Sequence, residues 1–354
     1  MPFATASDPQ VAAALWGALA ALSAALTLLA AVVAMRVRLL RRLARQQDAA
    51  ARWNPLLARC TESVPPELPT LRRRDAEDFL LLWCRAQESL RGEAQDRLRE
   101  LARRLGAEAH ARRLLRSRWV RARLIAAVTL GHLQAQDLAP WLHTQIASAR
   151  ILASLVAAKA LIRIDARVGL PPVLFAAARR EDWPLGSVAT TLKEADAHLV
   201  GPALSSAILA ALRRGDGAGV SRLLRLHVAA EPGALHDAVL AVLAECADSE
   251  ALAAALAALS HPRDVEHARR LLGHAEWFVR VAAARALGRL GTENDATRLV
   301  AALGDTSWWV RHRAAEALAQ LPGMNAAQLA ALADRQADRF AADALRQTLA
   351  ERNL

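Results

Sequence analysis

The stretch Leu303-Gly-Asp-Thr-Ser-Trp-Trp-Val-Arg-His-Arg-Ala-Ala-Glu-Ala-Leu-Ala319 superposes without a gap on Leu272-Gly-His-Ala-Glu-Trp-Phe-Val-Arg-Val-Ala-Ala-Ala-Arg-Ala-Leu-Gly288 when the chain is shifted by 31 residues. A fixed period of this size marks an array of supersecondary units, each too small to bury its own apolar face. Inside one unit the helical period occurs twice. Val265, Ala268, Leu271 and Leu272 fall on one face of a short first helix, and Val279, Ala283, Ala286, Leu287 and Leu290 on one face of a second. Asp305, Thr306 or Ser307 stands where a cap for the next helix belongs. Gly273 and Gly291 stand where helices end, where a residue able to adopt positive φ is expected. Alanine at facing positions lets neighbouring helices approach closely.

The period extends in both directions. Ala-Arg-Arg-Leu-Leu occurs at 111–115 and again at 268–272, an offset of 157 residues, or five units of about 31. The apolar pattern is present at Ala94, Leu98, Leu101, Ala102 and Leu105, and at Ala153, Ala157, Ala160, Leu161 and Ile164. Between about 185 and 250 the flanking positions degenerate, although Leu192 and Leu223 keep step. The tail from Ala326 to Leu354 reads as one more pair whose charged residues suit a capping unit. The fold expected is all-α: a solenoid of about eight to nine helical hairpins over residues 71–354.

The pattern Leu-x-Asp-x-x-x-x-Val-Arg-x-x-Ala-Ala-x-Ala-Leu at 303–318 resembles the HEAT repeat, in the short bacterial form also seen in phycobilisome lyase subunits. The unit at 272–288 departs from it in carrying His274 at the acidic position. The resemblance implies an α-solenoid with a curved binding surface. It also implies that the arginine opening each second helix, Arg280 or Arg311, has a structural role, pairing with the acid of the preceding turn, so that Asp305 serves Arg311. It carries no function with it, because such solenoids serve many.

The N-terminal region has a different character. Val11–Met35 holds no charged residue, only Ser23 and Thr27 interrupt its apolar run, and at 1.5 Å per residue it spans roughly 37 Å, enough to cross a ~30 Å hydrocarbon core. Arg36, Arg38, Arg41, Arg42 and Arg45 follow it, whereas only Asp8 and the amino terminus precede it. Positive residues stay on the cytoplasmic side, so this segment is expected to be a single transmembrane helix of the inner membrane with the N-terminus outside. A cleaved signal peptide would place its basic residues before the apolar run. The expected division is a short outer tail (1–10), a span (11–35), a basic juxtamembrane segment and linker (36–70) and the repeats (71–354). The three prolines of Ser63–Thr70 break any helix there.

Composition sets limits on function. Apolar residues make up 54% of the chain but aromatics only 4%, and Tyr is absent, which suits thin Ala/Leu helices packed in layers rather than a large aromatic core. Cys60, Cys84 and Cys246 are odd in number and irregularly spaced, which excludes a disulfide framework and a zinc site. No His-x-x-x-His, Cys-x-x-Cys, glycine-rich phosphate loop or serine nucleophile elbow occurs, so no metal, cofactor or catalytic residue is expected. The net charge of +11 is carried almost wholly by arginine. Arg36, Arg38, Arg41, Arg42 and Arg45 are candidate contacts to anionic lipid or an acidic partner; the run at 112–123 reads first as a solvated face, with Arg112, Arg113 and Arg116 as candidates for the same contacts in the alternative. Trp277, Phe278, Trp308 and Trp309 occupy corresponding inter-helix turns. One of each pair is expected to pack between units and the other to offer a partner-binding hot spot. The function expected is a membrane-anchored scaffold or adaptor for a protein partner, itself membrane-associated, such as a polysaccharide glycosyltransferase or a transporter. The alternative is a non-catalytic or lyase-like subunit of a membrane enzyme complex. Nucleic acid is not expected as a partner, and no small-molecule substrate is evident.

Overall fold

A computed structural model of the chain describes residues 9–231, 233 and 235–351, without the side chains of 9–12, 14, 15 and 42. The short outer tail expected at 1–10 lies almost wholly outside the described residues, and among these there is no β-strand. The chain divides into two compact units, Met1–Thr129 and Leu130–Leu354.

The first unit opens with α1 (Pro9–Arg59), followed by α2 (Ala76–Ser89), α3 (Glu93–Arg104), α4 (Ala107–Leu115) and the start of α5 (Val120–His132). Helix α1 has two halves of different kind. From Trp16 to Leu40 every residue is exposed, including Leu22, Leu26, Leu29, Val33 and Leu40, so among the described residues nothing covers this apolar surface. It is long and apolar enough to cross a membrane. Further on, Trp53, Leu57 and Cys60 are buried, and the Trp53 ring lies tilted against Phe79 of α2 at 4.7 Å. Much of the segment expected as a linker is therefore helical to Arg59. Its apolar residues at i, i+4 and i+7 give the helix a docking stripe. The proline stretch is irregular as expected, and Arg104 fixes it by donating to the carbonyls of Pro65 (3.1 Å) and Pro66 (2.6 Å). Helix α2 buries Phe79, Leu80, Trp83 and Cys84, with Trp83 Nε1 donating to Leu98 O at 2.8 Å.

The second unit contains α6 (Ala139–Ile146), α7 (Ile151–Ile164), α8 (Ala166–Arg179), α9 (Leu185–Lys193), α10 (Ala197–Arg213), α11 (Gly217–Ala230), α12 (His236–Glu245), α13 (Ser249–Ala258), α14 (Val265–Leu271), α15 (Trp277–Leu290), α16 (Ala296–Ala302), α17 (Trp308–Leu318), α18 (Ala326–Arg335) and α19 (Arg339–Glu351). Helices pair as hairpins at α6/α7, α10/α11, α12/α13, α14/α15, α16/α17 and α18/α19, and the second helices α11, α13, α15, α17 and α19 pack side by side in one row. The pattern is irregular at α8, which packs on α7, α10 and α11, where Pro171 and Pro172 lie inside the helix. This irregular helix lies just before the stretch of about 185–250 in which the sequence period fades.

Side-chain capping fixes several helix starts. Asp165, Asp196, Asp216 and Asp248 each accept a backbone N–H at the start of α8, α10, α11 and α13. Of the residues expected to face the core, Val265, Ala268, Leu271, Val279, Ala283, Ala286 and Leu287 are buried, whereas Leu272 and Leu290, at the ends of their helices, are only half-buried. Each fully buried Val or Leu contributes roughly 1.5–3 kcal/mol. Small residues set how closely neighbouring helices approach. A Cβ on Gly288 would meet the Cα of Ala317 at 2.8 Å, and one on Gly131 would meet the Cα of Ala160 at 2.9 Å. These two close approaches are related by the same 157-residue offset seen in the sequence. Neither Gly273 nor Gly291 takes the positive φ expected; Gly291 has φ −73°. Glycine is needed at 291 because a Cβ there would sit 2.4 Å from the Leu287 carbonyl oxygen.

Candidate partner-binding site

The repeat arginines come first, because they hold the turns that carry the aromatic pairs. Arg280 grips its own turn by donating Nη1 to the carbonyls of His274 (2.8 Å) and Ala275 (2.7 Å). Its Nε and Nη2 reach forward to both carboxylate oxygens of Asp305, at 2.7 and 2.8 Å. Arg311 repeats the first half of this arrangement, with Nη1 on Asp305 O (2.7 Å) and Thr306 O (3.2 Å). Its guanidinium lies 5.3 Å from the ring centroid of Phe340. The expected ion pair between Asp305 and Arg311 is thus replaced by one between units. The Asp305 carboxylate accepts the Ser307 N–H at 2.8 Å, which turns it towards the preceding second helix, and Arg311 takes the Asp305 carbonyl instead. Burial pushes the Asp305 carboxyl up, but the hydrogen bonds from Arg280 and Ser307 and the charges of Arg280 and Arg311 outweigh this and hold it below the usual range.

A second inter-unit pair has no counterpart in the sequence motif. Arg269 of α14 donates to Asp295 through Nε (2.7 Å) and Nη2 (3.0 Å), and Asp295 also accepts the Thr292 N–H at 2.9 Å. Its side chain is completely buried. The hydrogen bonds from Arg269 hold this carboxyl below its ordinary range against the opposing push of burial. With these bonds made, the turns before α15, α16 and α17 are fixed.

On the fixed turns stand the aromatic pairs. Trp277 is 44% exposed and meets the half-buried Phe278 edge to face at 5.9 Å. Trp308 and Trp309 are 45% and 50% exposed and lie edge to face at 4.7 Å. The first pair fits the expectation of one member packed and one presented. In the second both are presented, and Trp308 stacks in parallel on His312 at 5.0 Å. A 31-residue step from Trp309 leads to Phe340, which is 64% exposed at the start of α19. Phe278, Trp309 and Phe340 therefore occupy equivalent places on three successive second helices. Phe340 escaped the sequence reading because the tail lacks the Val-Arg signature. Ile151 and Leu152 are exposed at the start of α7 as well.

The basic candidates are used unevenly. Arg36, Arg38, Arg41 and Arg45 are exposed on α1, while the side chain of Arg42 lies outside the described residues. Arg112 donates Nε (2.9 Å) and Nη2 (2.7 Å) to Oε1 of Glu108, and Arg121 pairs with Glu77 at 3.6 Å. Arg113, Arg116 and Arg118 remain exposed, with Arg118 stacked on Trp119 at 4.9 Å. His312, Glu316 and Glu351 bring their ligating atoms within 4.8 Å of one another, a grouping that no spacing motif signals. Glu316 is already paired with Arg313, and Glu351 accepts from Gln347 at 2.8 Å, so a cation there would have to displace protein donors.

The family model for HEAT repeats matches the chain at residues 236–319 and again at 268–351, about one third of its length. The hairpins from α12 to α19 are accordingly HEAT repeats, and the all-α repeat architecture follows. No curated protein matches the chain.

Proposed function

We propose that this chain is a membrane-anchored scaffold that binds a protein partner through the starts of its second helices. HEAT-repeat arrays present extended surfaces on which partners dock, and this array has the hallmarks of such a surface. The observation that carries the reading is the exposed run of Trp277, Trp308, Trp309 and Phe340 at the starts of three successive second helices, the three tryptophans standing on turns gripped by Arg280 and Arg311. Aromatic side chains held in place lose little entropy on binding and dominate interface energies.

The anchor reading rests on the uncovered apolar half of α1. Surface of that kind demands a lipid or protein cover, and the arginines that follow suit the cytoplasmic headgroup layer. On this reading residues 11–35 span the bilayer with 1–10 outside, and 36–70 lead along the inner surface to repeats in the cytoplasm. Tethering confines the array to a shell near the membrane and raises its effective concentration towards a membrane-associated partner.

Affinity purification of the full chain from detergent, followed by mass spectrometry, identifies the partner. The Trp308→Ala/Trp309→Ala variant is expected to lose at least about tenfold of the partner recovered, since two hot-spot aromatics cost ~1.4 kcal/mol or more. Its melting temperature should stay near that of the parent, because both side chains are exposed. Undiminished recovery would refute the assignment of this surface.

A further inference from the structure

A trough of about 540 Å³ crosses the second-helix row on α13, α15 and α17. Its volume falls within the ~300–1,000 Å³ typical of binding clefts. Ala253, Ala257, Ala282 and Ala317 contribute short side chains to the lining, and Phe278 adds an aromatic surface. The polar lining is strongly one-sided: Arg285, Arg289 and Arg313 against the single carboxylate of Glu316, a balance of +2.

The three guanidinium groups differ in how far they are satisfied. Arg313 is paired with Glu316. Arg289 donates Nη2 to the carbonyls of Leu256, Ala257 and Leu259, closing the C-terminal end of α13. Arg285 has no acidic partner among the described residues and is exposed. Burial, and after it the charge of Arg285, push Arg289 below the ordinary arginine range.

We propose that this trough binds an extended acidic peptide segment of the partner, with Arg285 as its principal anchor. The proposal rests on the scaffold reading above and names the chemistry of what docks. Shape argues for an extended chain. Three helix axes spaced ~8–10 Å apart give a path of roughly 16–20 Å, which an extended peptide fills with about five or six residues. Charge complementarity argues for carboxylates, which pair bidentately with guanidinium. The alanines allow a peptide backbone to come close, and Phe278 gives an apolar residue of the peptide something to lie on.

The test uses the full chain in nanodiscs and a fluorescein-labelled decapeptide of repeating Asp-Glu-Leu, with its Asn-Gln-Leu counterpart as control, read by fluorescence polarisation. Arg285→Glu is expected to weaken binding of the acidic peptide at least about tenfold, and Arg285→Gln by about threefold. Arg335→Glu, an identical charge change outside the trough, should alter it less than about twofold. The amide peptide should not bind. Equal weakening by Arg285→Glu and Arg335→Glu would reduce the effect to diffuse charge and overturn the proposal. So would displacement of the peptide by inorganic phosphate at equal concentration, which would make the trough a small-anion site. The outcome separates the two readings. If partner recovery is lost in Trp308→Ala/Trp309→Ala but unchanged in Arg285→Glu, the scaffold stands and the trough fails. If peptide binding depends on Arg285 while partner recovery ignores the tryptophans, the reverse holds.

Discussion

Removing the Asp295 carboxylate is expected to destabilise the repeat array far more than removing a surface acid. In Asp295→Ala, Arg269 loses two short hydrogen bonds and the Thr292 N–H loses its acceptor. Breaking a buried pair typically costs 3–5 kcal/mol. Arg269 is 23% exposed and keeps Glu266 at 3.0 Å, so the lower part of the scale applies, about 2–3 kcal/mol. At roughly 2–4 °C per kcal/mol for a unit of this size, the melting temperature should fall by about 4–12 °C. Glu250→Ala is the control. Its pair with Arg225 is 52% and 64% exposed, so the expected loss is below about 1 kcal/mol. The assay is a thermal melt of the full chain in detergent, followed by circular dichroism at 222 nm, the far-ultraviolet helix band. The dependence on pH provides a second reading. The folded Asp295 carboxyl titrates below its unfolded value of about 3.9, so its contribution is complete above that pH and disappears as pH falls through the folded value. The gap between parent and variant should therefore close below about pH 4. A fall no larger than that of Glu250→Ala at neutral pH would refute the claim that this pair locks neighbouring units.

Other consequences follow from the packing. Gly288→Val forces a side chain into the Ala317 backbone and should cost at least about 2 kcal/mol in the same melt, whereas Gly273→Ala, with open space around it, should be neutral. Ser154→Ala removes the acceptor for Trp183 Nε1 (3.0 Å) and for Arg180 Nη1 (2.9 Å) and should lower stability by about 1–3 kcal/mol. Asp305→Asn weakens the link to Arg280; since the folded carboxyl titrates below its normal value, the penalty should be full at pH 7 and vanish in acid.

The hairpins were legible in the sequence where two units share nearly every apolar position, as at 272–288 and 303–319. They faded between about 185 and 250, where the flanking positions degenerate and Pro202 lies inside α10. Helix α1 was readable as an apolar run, but not its continuation to Arg59, because Pro55 lies inside it and Trp53 and Leu57 gain meaning only from their packing against α2, where Trp53 meets Phe79. The partner of Asp305 was out of reach for another reason. Period assigns a residue its place in the unit, yet which arginine its carboxylate faces depends on how α15 lies against α17. The trough shows the same limit. Arg285, Arg289 and Arg313 form no contiguous basic run and come together only because successive second helices pack side by side.

The most direct test of the central claim, a membrane-spanning α1 with the repeats on its arginine-flanked side, is protease accessibility of a C-terminal tag in a bacterial expression host. In spheroplasts the tag should survive added protease, in inverted membrane vesicles it should be digested, and the chain should resist alkaline carbonate extraction unless residues 9–35 are deleted. Digestion of the tag in intact spheroplasts, or release of the full chain by carbonate, would contradict the account.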